Sequence, residues 1–175
     1  RRQRQMCIRD RVQQVNGEFA ERFEGRNLDL ICILQPEPLL IRADSRRIWR
    51  VLENLYVNVC KYAMPGTRVY VDAIKKDGKI QLSIKNISEN PLNFQADELT
   101  ERFIRGDVSR STEGSGLGLS IAKNLTVLQH GTFNIYLDGD LFKVTITFDE
   151  AVKEKKPMSP MIVPEPVQEE AQQDV

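Results

Sequence analysis

Apolar residues recur at steps of three and four through positions 11–24, where Val12, Val15, Phe19 and Phe23 mark one face of a helix that Gly25 stops. Residues 28–34 then read as a strand. Asp44 is placed to cap a second helix running to residue 63, with Ile48, Leu52, Leu55 and Val59 as its core stripe and Pro65-Gly66 as its stop. Residues 68–75 and 79–86 predict a hairpin around Asp77-Gly78, and residues 132–137 and 141–148 a second around Asp138-Gly139-Asp140. Between the hairpins lie a long polar loop and a helix over about residues 117–129. The order helix, strand, helix, hairpin, loop, helix, hairpin predicts an α/β chain, a two-layer sandwich whose mixed sheet is covered by helices on one face.

The ends differ from this middle. Residues 1–11 are crowded with arginine and show no clear period, so they read as an N-terminal extension or the remnant of a preceding segment. Residues 12–150 form the expected domain, and residues 151–175, with Pro157, Pro160, Pro164 and Pro166 among Glu and Gln, the expected disordered tail. Over 175 residues, 41% are hydrophobic and 29% charged, which supplies one ordinary core. Lys plus Arg and Asp plus Glu both total 25, so no global field recruits nucleic acid or anionic lipid, and an anion site must be local. Cys7, Cys32 and Cys60 are odd in number and widely spaced, which argues against a disulfide framework or zinc site and fits a reducing cytosol. No apolar run approaches the roughly 18 to 20 residues of a membrane helix, and no signal peptide pattern opens the chain.

Three segments carry candidate chemistry. In Asn54-Leu55-Tyr56-Val57-Asn58-Val59-Cys60-Lys61-Tyr62, helical spacing puts Asn54, Asn58 and Lys61 on one face beside the core stripe. An Asn oxygen is a hard neutral ligand suited to Mg²⁺, and Lys61 adds a point charge for phosphates; the bland reading is a solvated helix edge. In Glu113-Gly114-Ser115-Gly116-Leu117-Gly118, alternate glycines leading into a helix let backbone N–H groups approach phosphate, although a flexible loop has the same string. It is neither a Walker loop nor a Rossmann fingerprint, since no Gly-Lys-Ser/Thr follows and no strand directly precedes it. In the loop over residues 100–111, Phe103 and Ile104 can clip a lid to the core while Arg105 and Arg110 fold over a phosphate; a solvated charged loop is the alternative.

Taken in order, the three segments resemble the N box, F box and G2 box of the histidine kinase ATPase domain, the Bergerat-type fold shared with the gyrase, Hsp90 and MutL ATPases. The resemblance runs over about residues 12–148, and Lys85-Asn86-Ile87-Ser88 and Arg105-Gly106-Asp107 are similar to sensor kinases of Gram-positive bacteria. It implies that Asn58 ligates Mg²⁺, that Asn54 lines the phosphate end, that Lys61, Arg105 and Arg110 contact phosphate, and that Tyr62 packs beside adenine. Gly114, Gly116 and Gly118, with Leu117 between them, would form the phosphate-binding hinge of the lid. The family's adenine-reading box is usually Asp-x-Gly-x-Gly, whereas the matching stretch here is Asn86-Ile87-Ser88-Glu89-Asn90, so Asn86 would read adenine with an amide.

The implied reaction moves the γ-phosphate of ATP to a histidine. His130 is the only histidine and precedes Gly131 at a helix end, with no acidic neighbour, so it reads as structural. The acceptor is expected on an upstream dimerisation domain, in a homodimeric, membrane-anchored parent that passes the phosphate to a response regulator in the cytoplasm. Two alternatives stand beside this reading: a degenerate module that binds ATP without catalysis, and a serine kinase or ATPase of the same superfamily. Against hydrolysis, Asn54 stands where gyrase-like relatives place a basic Glu, and Glu53 points elsewhere by about 100°.

Overall fold

The computed structural model describes residues 3–92 and 117–152, and within them the elements run β1 (Arg4–Cys7), α1 (Ile8–Gly25), β2 (Asp29–Leu34), β3 (Leu40–Ala43), α2 (Ser45–Tyr62), β4 (Arg68–Lys76), β5 (Lys79–Ile87), α3 (Gly118–Leu128), β6 (Thr132–Asp138) and β7 (Leu141–Asp149). The Asp44 carboxylate starts α2 as the sequence predicts, accepting from the N–H groups of Arg46 at 2.9 Å and Arg47 at 3.3 Å. Its buried stripe is Ile48, Val51, Leu52, Leu55, Tyr56 and Val59.

The main sheet has the order β2-β4-β5-β7-β6. The β2–β4 pair is parallel and the other three pairs are antiparallel, which makes the sheet mixed. Side-chain alternation sorts its two faces. Val69, Val71 and Ala73 of β4, Ile80, Leu82 and Ile84 of β5, and Phe142, Val144, Ile146 and Phe148 of β7 are buried in one cluster with Val12, Val15, Phe19 and Phe23 of α1, the α2 stripe and Leu119 and Ala122 of α3. The opposite face is more polar: Ser83 and Thr145 hydroxyls meet at 3.2 Å, and Lys85 lies 5.3 Å from the Tyr70 ring centre, although Ile33, Ile74 and Tyr136 are also exposed there. Among the described residues the helices therefore cover one face, as expected. Both hairpin turns also form where predicted, with Asp77 and Gly78 at φ of 52° and 72° and Gly139 at 57°.

The N-terminal segment differs from its reading as an extension. Arg4–Cys7 pairs with β3 as an antiparallel two-stranded sheet, Arg4 opposite Ala43 and Cys7 opposite Leu40, and α1 begins at Ile8 rather than residue 11. The strand lacks a hydrophobic signature because backbone pairing holds it; of its residues Met6 packs against the core. β3 was hidden by its length of four residues after Pro36 and Pro38, although Leu39, Ile41 and Ala43 are all buried. Past β7, Ala151 is buried and donates its N–H to the Leu40 carbonyl at 2.8 Å, so the first residue assigned to the tail is docked.

α3 ends in a Schellman turn: the N–H of His130 bonds the Val127 carbonyl at 3.0 Å, and that of Gly131 the Thr126 carbonyl at 3.0 Å. His130 takes the left-handed conformation at φ 66°, so its place is a helix stop, in line with the structural role expected of it. Position 131 is glycine for lack of room, since a Cβ there would lie 2.7 Å from the Phe148 ring. Beside this turn Gln129 is 2% exposed; its amide donates to the Leu125 carbonyl at 3.0 Å and its oxygen accepts the Asp44 N–H at 2.7 Å. One side chain thus ties the end of α3 to the start of α2. Gln129→Leu, which keeps the volume and deletes both bonds, is expected to cost about 1–3 kcal/mol in urea unfolding. An unchanged midpoint would show that the link holds nothing.

The three cysteines are free. Burial pushes the Cys32 and Cys60 thiols above their ordinary range, against the opposing pull of an Asn16 hydrogen bond on the first and of Arg22 and Arg26 on the second. Both stay neutral at physiological pH and act as small apolar groups.

Candidate functional site

The C-terminal half of α2 brings the first constellation to one edge of the helix layer. Asn54 and Asn58 are half-buried, Lys61 is exposed and Tyr62 half-buried, the gradient expected of a polar face bordering a core stripe. The Asn54 amide donates to the Arg50 carbonyl at 2.7 Å. Its Oδ1 is turned toward the start of α3, where a Cβ added to Gly118 would lie 3.5 Å from that oxygen and 3.7 Å from the Asn54 carbonyl. The second constellation therefore ends against the first. Leu117 offers no side-chain cap and the first turn of α3 holds no acidic residue, so among the described residues the positive end of α3 stands beside Asn54 without an anion of its own.

The end of β5 forms the third wall. Asn86 pairs with Phe142 on the helix-facing side of the sheet and is 3% exposed. Its Oδ1 is buried, and no described residue donates to it. A buried amide oxygen of this kind normally has a partner, so the position suits a donor from a bound molecule. Beyond it, Ile87, Ser88 and Glu89 are stitched to the end of α2. The Met64 N–H bonds the Ile87 carbonyl at 2.8 Å, the Glu89 N–H bonds the Tyr62 carbonyl at 2.8 Å, and Ala63 and Ser88 form a β-bridge. Ser88 is buried and has no positive φ, so this segment runs without the glycine conformations its sequence lacks.

Asn54, Asn58, Lys61, Tyr62, Asn86, Leu117 and Gly118 thus come from three elements, α2 touching the start of α3 at Asn54 and the segment beyond Asn86 at Tyr62–Met64. Arg105, Arg110, Gly114 and Gly116 lie outside the described residues. Among the described residues no three His, Cys, Asp or Glu side chains cluster, so the donors on offer are neutral oxygens and an ammonium. That set fits a Mg²⁺ carried by a nucleotide, which takes one or two protein oxygens and completes its shell with phosphates and water. Sequence reading passed over Arg26, whose guanidinium reaches the Ala63 carbonyl at 2.8 Å and Glu89 at 3.4 Å. A single arginine after a helix stop carries no periodic signal.

Comparison with known proteins agrees with this architecture. Residues 43–153 match the family of histidine kinase-, DNA gyrase B- and HSP90-like ATPases, and the chain belongs to that family. Its similar relatives include sensor histidine kinases. It is 32% identical over 117 residues to the signal transduction histidine-protein kinase BaeS of Escherichia coli, covering 66% of this chain and 25% of BaeS. It is 31% identical over 122 residues to the sensor protein VanSC of Enterococcus gallinarum, covering 69% of this chain and 33% of VanSC. The chain therefore spans a quarter to a third of the length of these relatives. The nucleotide-free catalytic domain of histidine kinase ThkA superposes with a TM-score of 0.73 at 22% identity, over 84% of this chain and 95% of that domain, which shows the shared fold. No helix among the described residues is long and apolar enough to cross a membrane.

Proposed function

We propose that the domain binds Mg-ATP between the C-terminal half of α2, the end of β5 and the start of α3, and transfers the γ-phosphate to a histidine on a dimerisation domain upstream of Arg1. The observation that carries the reading is the buried Oδ1 of Asn86, which has no partner among the described residues, an acceptor suited to the exocyclic amine of adenine. Tyr62 packs along the base, and Asn54, Lys61 and Gly118 line the phosphate end, with Gly114, Gly116 and Leu117 completing the hinge. Asn58 would hold Mg²⁺, which neutralises charge on the phosphates. Lys61, Arg105 and Arg110 hold the γ-phosphate in place and offset its charge as the bond to the β-phosphate oxygen breaks and the bond to the imidazole nitrogen forms. ADP is the leaving group. Positioning and electrostatics account for the catalysis, because none of the site residues is a strong base.

In the full-length protein the acceptor helices pair two copies, the phosphate passes on to a response regulator, and the domain works in the cytoplasm of a membrane-anchored parent. ThkA is known in complex with the response regulator protein TrrA, a precedent for such a partner. Against the ATPase alternative, Glu53 is exposed while Asn54 lies against Gly118 at the start of α3. The test uses a chain extended through the upstream histidine and γ-labelled Mg-ATP. Acid-labile, alkali-stable label is expected on the protein. Acid-stable label would mean serine transfer, and nucleotide binding without label would mean a non-catalytic module.

A further inference from the structure

The proposal rests on the nucleotide site just described and concerns what holds its base end together. Two short segments meet there: residues 62–64 at the end of α2 and residues 87–89 beyond Asn86. Two backbone hydrogen bonds, Met64 to Ile87 and Glu89 to Tyr62, join them as the Ala63–Ser88 bridge, and both are local to the seam. One side chain from a third element spans both sides. α1 stops in a Schellman turn, in which the Asn27 N–H bonds the Glu24 carbonyl at 2.9 Å, the Leu28 N–H bonds the Phe23 carbonyl at 2.8 Å, and Asn27 sits at φ 53°. This fixes the backbone at Arg26, whose Nη2 donates to the Ala63 carbonyl at 2.8 Å and lies 3.4 Å from Glu89 Oε2.

The two contacts are unequal. The Arg26 and Glu89 side chains are 35% and 47% exposed, so solvent screens their ion pair. The Ala63 residue is wholly buried, and its carbonyl stands at the negative end of α2, where a guanidinium donor is worth most. Arg26 also sits close enough to the last turn of α2 to pull the Cys60 thiol down against its burial. Neighbouring backbone joins the same knot: the Gly66 N–H bonds the Asn27 carbonyl at 2.8 Å and the Asp29 N–H bonds the Thr67 carbonyl at 3.0 Å.

We infer that Arg26 is a positioning residue of the nucleotide site: by holding the Ala63 carbonyl and Glu89 together it sets the separation of Tyr62 from Asn86, and hence the grip on the base. It touches no nucleotide atom itself. Its effect therefore falls on adenine, while the phosphate end at Asn54, Asn58 and Gly118 is left as it was.

The test is displacement of a fluorescent ATP analogue by Mg-ADP and, separately, by magnesium tripolyphosphate, which has phosphates and no base. Arg26→Met is expected to weaken Mg-ADP about 5–10-fold and tripolyphosphate by less than about 2-fold. Arg26→Lys, which keeps a cationic donor, recovers part of the loss. Equal ADP affinity in wild type and Arg26→Met, or equal loss of ADP and tripolyphosphate, overturns the assignment. If Arg26→Met does not fold, Arg26→Lys decides by the same comparison: an ADP-selective loss supports the role and none removes it. A wild-type chain that binds neither competitor nor the analogue refutes the nucleotide site, and Arg26's role with it.

Discussion

Asn58→Ala is expected to weaken Mg-ATP binding about 100-fold, close to 2.7 kcal/mol, when titrated by calorimetry. The size follows from the donor set. Mg²⁺ held largely by phosphates and water borrows one or two oxygens from the protein, and the described part of the site offers only neutral side-chain oxygens for that purpose. Deleting the half-buried Asn58 amide takes away the oxygen assigned to the metal, and alanine leaves space for water without orienting it. The same titration in EDTA separates this from a packing effect. Without metal, wild type and variant should converge, because the side chain acts on the phosphates through Mg²⁺. Unchanged Mg-ATP affinity would refute the metal assignment, and an equal loss with and without metal would make Asn58 a structural residue.

At Asn86 stability and binding are expected to move in opposite directions. Its Oδ1 is desolvated and unpartnered by described residues in the nucleotide-free protein, a cost that binding would relieve. Asn86→Leu, close in volume, should raise the unfolding free energy of the free protein by about 1 kcal/mol and weaken ATP about 10-fold. Asn86→Asp should do the reverse: a buried carboxylate lowers the stability of the empty site, yet as a charged acceptor it tightens ATP about 5-fold. It should also widen the preference for ATP over GTP. The asparagine amide can rotate to donate to a 6-oxo group, and a carboxylate cannot. Thermal midpoints and competition titrations on the three proteins check the pattern; parallel losses of stability and affinity in Asn86→Leu would place Asn86 in the core and outside the pocket.

Much of this site was legible without coordinates because its parts are local. The α2 constellation needs only helical geometry and an N-cap, and Asp44 supplies the cap within three residues of the N–H groups that donate to it. The glycine string and the two turns likewise announce themselves through backbone chemistry at neighbouring positions. β1 and β3 were not legible, since each is four residues long and defined by pairing with the other across more than thirty residues of chain. Arg26 and Gln129 were equally silent. Their worth lies in one carbonyl and one N–H that the fold carries to them, at Ala63 and Asp44 respectively.

By itself the sequence determined the class of fold, the helix that carries Asn54, Asn58 and Lys61, and membership of a phosphate-handling family, because periodicity, caps and short motifs are properties of consecutive residues. Only the tertiary structure decided that Asn86 is buried with an acceptor to spare, that Gly118 closes on Asn54, and that Arg26 ties two strangers in sequence at the base end. Those facts depend on which desolvated groups find partners, and that is settled by distant segments meeting in three dimensions.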